Sequence, residues 1–116
     1  MAAIYIFDQQ KSLLLNLLHI LRGIILYHKL IIIVFSEQSY SCLQTLLRAL
    51  RIPHERAILL RYSGQLGKEL LEHVKKETGI FPEVLLASED TARQFYGLLL
   101  IDHLEPLDAA LQGQKA

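Results

Sequence analysis

Two periodicities alternate along the chain. Leu30–Phe35 (Leu-Ile-Ile-Ile-Val-Phe) is apolar without a break and rich in β-branched residues, the pattern of a strand buried on both faces. Ala57–Tyr62, Glu83–Ala87 and Leu98–Asp102, mainly apolar, read as further strands, and Ala3–Phe7 is a short β-prone start. Between these runs the apolar spacing switches to threes and fours. Asp8 is placed to cap a helix over Gln9–Arg22, with Leu14, Leu17, Leu18 and Leu21 on the inward face and Gly23 as its stop. Ser36 or Ser39 opens a second helix to about Leu50, with Leu43, Leu46, Leu47 and Leu50 inward and Pro53 ending it. Gly67 leads into a helix from Lys68 to Thr78, closed by Lys75, Lys76 and a C′ glycine, Gly79. Ser88 caps a short helix over Glu89–Phe95, Gly97 releases the last strand, and Leu107–Leu111 reads as a final helical turn before a polar tail.

Wholly apolar strands separated by helices require a largely parallel sheet covered on both faces. Right-handed crossovers then give a three-layer, doubly wound α/β sandwich of the RecA-like or Rossmann-like kind, one domain over residues 1–116. Chemistry in such a sheet sits at the carboxyl ends of the strands. Here those places are Ser36, Ser63–Gly67, Ser88–Arg93 and Asp102–His103.

Composition narrows the function classes. Twelve Lys and Arg balance twelve Asp and Glu, which argues against a strongly basic nucleic-acid binder or a cationic membrane anchor. Hydrophobic residues reach 52%, so such a chain is expected to bury surface on a partner. A single cysteine, Cys42, excludes an internal disulfide and fits a reducing, intracellular compartment, nuclear or cytoplasmic. The segment Leu13–Phe35 is membrane-like in composition, but Asn16, His19, Arg22, His28 and Lys29 interrupt it. It also lacks the charge-first order and cleavage site of a secretory signal.

Each candidate for chemistry has a structural explanation. Gly64-Gln-Leu-Gly-Lys-Glu69 lies between strand and helix as a phosphate loop does, but its glycines are too close and Glu69 stands where magnesium needs Ser or Thr. Cys42 falls within an apolar-periodic helix and reads as a core or boundary residue. The histidines, His54 and His73 among them, lack metal-ligand spacing, so no metal is expected. Glu89 and Asp90 suit the first turn of a helix, and Asp102 suits a turn.

The order of the segments carries more than any one of them. Lys29-Leu-Ile-Ile-Ile-Val-Phe-Ser36, Leu60-Arg-Tyr-Ser-Gly64, Glu83-Val-Leu-Leu-Ala-Ser-Glu-Asp-Thr-Ala-Arg93 and Leu98-Leu-Leu-Ile-Asp-His-Leu-Glu-Pro106 follow one another with helices between. The series resembles the C-terminal RecA-like lobe of superfamily 2 helicases, as in DEAD-box proteins and Swi/Snf-type remodellers. Phe35-Ser36 resembles motif IV, and Ser63-Gly64 is similar to the family's histidine-glycine or aspartate-glycine turn. Ala87–Arg93 resembles motif V. The departures concern the ATP chemistry. Gln94 replaces the motif V glycine and Tyr96 its acidic residue, the tail after Pro106 has no arginine, and no Walker lobe is present.

The resemblance therefore implies a degenerate, non-catalytic helicase-like lobe, without cofactor, serving as a scaffold or interaction module. The alternatives are an unrelated receiver-like or ligand-sensing domain and a truncated lobe of an active ATP-dependent helicase. Retained nucleic-acid binding would be weak and would use Ser36, Ser63, Gly64 and Ser88, with Arg93 supplying charge. Self-association or a protein partner is expected through the apolar excess of the first helix, with Leu13, Ile20 and Tyr27 as the interaction face.

Overall fold

The structure is a computed structural model and describes residues 1–111; the expected polar tail lies outside the described residues. Five strands form one sheet, β1 (Ala2–Ile6), β2 (Lys29–Val34), β3 (Ala57–Arg61), β4 (Val84–Ala87) and β5 (Leu100–His103). All pairings are parallel and the order is β3-β2-β1-β4-β5, so the short N-terminal strand is the central one. Its residues are buried along their whole length, which suits the uninterrupted Ala-Ala-Ile-Tyr-Ile run.

The helices are α1 (Leu13–Leu26), α2 (Glu37–Ala49), α3 (Lys68–Thr78), α4 (Glu89–Ala92, continued as a 3₁₀ turn over Arg93–Phe95) and α5 (Glu105–Leu111). Ile20 of α1 and Leu43 and Leu47 of α2 meet Tyr5, Leu30, Ile32 and Leu86 on one face of the sheet. Leu70 and Val74 of α3, with Phe95, meet Ile4, Ile31, Ile33 and Leu85 on the other. The result is the three-layer α/β sandwich. Among the described residues no helix is long and apolar enough to cross a membrane.

Helix α1 departs most from expectation. It begins at Leu13, because the Ser12 side chain, not that of Asp8, accepts the Leu15 N–H. It also runs through Gly23, where a Cβ would come within 3.0 Å of Leu30 on the sheet. Glycine here allows close helix–sheet approach and does not end the helix. The buried face is Asn16, His19, Ile20 and Gly23. Leu14, Leu18 and Leu21, expected inward, lie on the opposite side; Leu14 is 64% exposed, and Leu18 and Leu21 are half-buried. Arg56, between α2 and β3, finishes the helix by donating to the carbonyls of Ile24 and His28. Smaller corrections are that Cys42 and Leu50 of the second helical segment are exposed.

Gly67 joins the two ends of the α3 face. It holds φ +91°, and a Cβ there would stand 2.9 Å from the Gln94 carbonyl oxygen, a backbone atom with no rotamer to yield. Gly67→Ala is expected to cost roughly 1–3 kcal/mol in denaturant unfolding. Gly97→Ala, whose Cβ would meet nothing within 4 Å, is the control for positive φ alone.

Candidate functional site

The chain leaves β1 toward β2 on one side and reaches β4 on the other, so the winding reverses at the carboxyl ends of β1 and β4. A cleft of about 500 Å³ opens there, between Asp8 and Gln9 on one rim and Ser88, Asp90 and Thr91 on the other, with Phe35 and Leu66 as apolar walls.

The loop from Phe7 to Ser12 is held by Asn16, one turn into α1. The Asn16 Oδ1 accepts the Tyr5 hydroxyl at 2.5 Å and the Asp8 N–H at 2.9 Å. Its Nδ2 donates to the carbonyls of Asp8 and Ser12 at 2.8 and 2.9 Å. Burial, reinforced by the charges of Asp8 and Asp108, holds the Tyr5 phenol far above its usual range, so it stays a donor. Asp8 accepts the Gln10 N–H at 2.9 Å, closing an Asx turn.

His19 lies beneath the same loop with its side chain fully buried. Its Nε2 and Asp108 Oδ1 are 2.5 Å apart, and Lys11 Nζ donates to Asp108 Oδ2 at 2.7 Å. The His19 Nδ1 is buried with no partner. In the neutral ring the Nε2–H donates to Asp108 and Nδ1 is an unpaired acceptor. Protonation would bury an unpartnered N–H as well as a charge. Desolvation accordingly pushes the His19 pKa below its ordinary 6.5, against the pull of Asp108. For Asp108 burial works upward, but the hydrogen bonds from Lys11 and His19 win and leave it below the usual carboxylate value. No side chain of helix α5 is fully buried, and this carboxylate ties it to the body.

Asp102, a strand-end carboxylate in β5, is also committed to α1. It accepts the Tyr27 hydroxyl at 2.8 Å and the Arg22 guanidinium at 3.1 Å. Burial, then the bond to Asp102, pushes the Tyr27 phenol up to about 12.

The residues expected to touch nucleic acid are scattered. Ser88 lines the cleft; Ser36, Ser63, Gly64 and Arg93 do not. Ser36 caps α2 by accepting the Ser39 N–H at 3.1 Å, and meets the cleft only through Gln9, which donates to its Oγ at 3.4 Å. Ser63 is exposed, and Gly64 sits against Tyr62, whose hydroxyl donates to the Gln65 carbonyl at 2.5 Å. Arg93 is solvent-exposed, 3.6 Å from Asp90. At the β4–α4 turn the Glu89 N–H donates to the chain's own Glu105 carboxylate at 2.6 Å. The one lysine of the cleft is engaged by Asp108, while Asp8 and Asp90 remain on the rims, a poor setting for a phosphate.

The expected interaction face is divided as well. Leu13 is exposed, Ile20 is entirely inside the core, and Tyr27 is half-buried against Asp102. Ile20 is thus corrected from a surface residue to a core one, because Asn16 and His19 turn its side of the helix toward the sheet. Comparison of the chain with protein-family models, curated proteins and solved structures finds no match in any of the three.

The His19–Asp108 pair gives a signed pH dependence. Below about pH 6.5 the unfolded chain binds a proton that the folded His19 refuses, so stability falls as pH drops toward the lowered folded value. Asp108, whose folded value is lowered too, has linkage of the same sign at lower pH. Its contribution is present above the ordinary carboxylate pKa of 3.8 and is lost as pH falls through its folded value. Denaturant midpoints measured from about pH 7.5 to 5 should decline in the natural chain and flatten in His19→Gln, whatever the absolute stability of that variant.

Proposed function

We propose that this chain is a non-catalytic lobe of helicase type, acting as a scaffold or interaction module within an intracellular protein or protein–nucleic-acid assembly. The observation that carries the reading is the closure of the strand ends by the chain's own side chains. At the carboxyl ends of the strands Asn16 takes the Asp8 N–H, Ser36 takes the Ser39 N–H and Glu105 takes the Glu89 N–H. A nucleotide would have to displace a carboxylate from the β4–α4 turn before reaching that donor. Phosphoryl transfer also asks for a metal holder and a cationic stabiliser, and the motif departures at Gln94 and Tyr96 add to the support.

A second reading, a small ligand-sensing domain, is favoured by the cleft of about 500 Å³ at the reversal of winding. The two readings differ in where a ligand would act. The scaffold reading expects saturating small molecules to leave the partner-binding surface unchanged.

ATP turnover, assayed with and without RNA and DNA, is expected at background level. Turnover that survives rigorous purification and disappears in Arg93→Ala would overturn the non-catalytic reading. Any affinity for single-stranded RNA or DNA should be weak and should fall steeply as salt rises from about 50 to 200 mM, since only phosphate contacts are at hand. Tight, salt-insensitive and sequence-selective binding in a fluorescence titration would contradict the assignment.

A further inference from the structure

We infer that the open edge of β3 takes an extended peptide segment of a partner protein as a sixth, antiparallel strand. The segment carries an apolar residue and, two residues on, an acidic one. This rests on the interaction-module reading and names the kind of partner. The sheet order gives β3 a neighbour, β2, on one side only. The Leu30 N–H donates to the Arg56 carbonyl and the Tyr62 N–H to the Val34 carbonyl, both at 2.9 Å. The N–H and C=O of a strand residue point to one side and alternate along the strand, so Arg56, Ile58, Leu60 and Tyr62 serve β2. The N–H and C=O groups of Leu59 and Arg61, with the Ala57 carbonyl, therefore face outward. Among the described residues no backbone group pairs with them; only the Ala57 N–H is used, by the Pro53 carbonyl at 3.2 Å. Sheet edges are ordinarily blunted by charge, proline or a bulge. Here Ala-Ile-Leu-Leu-Arg has only its terminal Arg61, whose side chain turns to Glu37. The opposite edge, β5, carries Asp102 and His103 among its four residues.

The surroundings of that edge select the side chains. Residues directly opposite each other in a ladder share a face of the sheet. Leu59 packs on the α2 side, so the residue opposite it enters the groove between α2 and β3, a hollow of about 300 Å³. Leu47, Ile52 and Leu59 line it, which calls for an apolar side chain. Two residues further along the added strand, opposite Ala57, the same hollow presents Arg48 and His54. Among the described residues no acid lines it, and neither base has an ion-pair partner. An acidic side chain placed there meets unspent positive charge. Toward Arg61 the groove continues into a second hollow of about 360 Å³, where Glu37, His73 and Glu77 stand. Acids at that end and bases at the Ala57 end set the direction of the segment, base first and acid last.

That order runs antiparallel to β3, the more stable ladder as well. Charge also excludes the other occupants. A second β3, paired antiparallel about Leu59, would set its arginine opposite Ala57 and so beside Arg48 and His54. The chain's own residues after Leu111, Gln-Gly-Gln-Lys-Ala, offer neither an acid nor a large apolar side chain. The added strand gains main-chain hydrogen bonds at Leu59, Arg61 and Ala57, and the groove supplies the selectivity.

The test is fluorescence anisotropy of the full chain with a dye-labelled peptide, Lys-Thr-Val-Thr-Ile-Thr-Glu-Thr, whose isoleucine is to lie opposite Leu59. Its dissociation constant should be about 10–100 µM. Lysine in place of the peptide's glutamate should weaken binding about tenfold, as should Arg48→Glu in the chain, an exposed position whose circular dichroism should not change. The lysine peptide with the Arg48→Glu chain should return to within about threefold of the natural pair. An N-methyl group on the isoleucine nitrogen, which faces β3, should abolish binding. The same group on the next threonine, which faces away, should leave it unchanged. No saturation up to about 1 mM, equal loss from both N-methyl peptides, or a charge exchange that restores nothing would each overturn the inference. A chain that light scattering shows as two copies and that takes up no peptide would assign the edge to a second β3, and overturn it as well. Background ATP turnover in a chain that binds no peptide ends the inference and leaves the non-catalytic reading standing. Turnover above background in a chain that binds it leaves the β3 edge standing and ends the non-catalytic reading.

Discussion

The rotation of α1 about its own axis depends on two buried polar side chains. Asn16 has four hydrogen-bonding partners waiting beneath it: the Tyr5 hydroxyl, the Asp8 N–H and the carbonyls of Asp8 and Ser12. Turning a leucine into that place would strand those groups away from water, each at a cost of roughly 1–3 kcal/mol. Burying one more leucine returns about 1.5–3 kcal/mol, which is less than the set of lost bonds. Polar satisfaction therefore wins over apolar area. The leucines turn outward as its consequence, and the helix ends up greasy on the side that faces away from the sheet.

Much of the architecture could be read from residue order. The β-branched run at Leu30–Phe35 and the apolar Val84–Ala87 declare doubly buried strands, and the Gly79 C′ cap with Lys75 and Lys76 bounds α3 within its observed limits. Ser36 was legible as a cap for the same local reason. The orientation of α1 was not, because apolar periodicity assumes that the greasier face goes in. The signal that could have told otherwise was the polar pair itself. Asn16 and His19, three apart and followed by Gly23, are the register of a face pressed close to something. The strand-end site was legible only as a location. Whether Glu105 reaches the Glu89 N–H, or Asp108 reaches Lys11 and His19, depends on contacts between residues far apart in the chain.

The same long-range carboxylates explain how α5 stays in place. None of its side chains is fully buried, and ionic and hydrogen-bonded contacts hold it at Asp108, with Glu105 at the head of α4. Asp102 does the equivalent for β5 and α1 through Tyr27 and Arg22. Of these three late carboxylates, Asp102 and Asp108 fasten residues of the first quarter of the chain and Glu105 fastens the head of α4. Their sequence positions, at strand ends and helix starts, are those where an active site would put its acids.

The central strand is the first of the five to be synthesised. β1 finds β2 within the first third of the chain, but its other neighbour, β4, arrives about eighty residues later, when Tyr5 comes into register with Leu86. Until then the nascent β1–β2–β3 half presents an open ladder of Ala-Ala-Ile-Tyr-Ile along one edge. Such an edge is a template for pairing with a neighbouring chain on a polysome. Ribosome-bound chains shorter than β4 are where this fold is most exposed to aggregation, and the tempo of synthesis between β3 and β4 governs how long that exposure lasts.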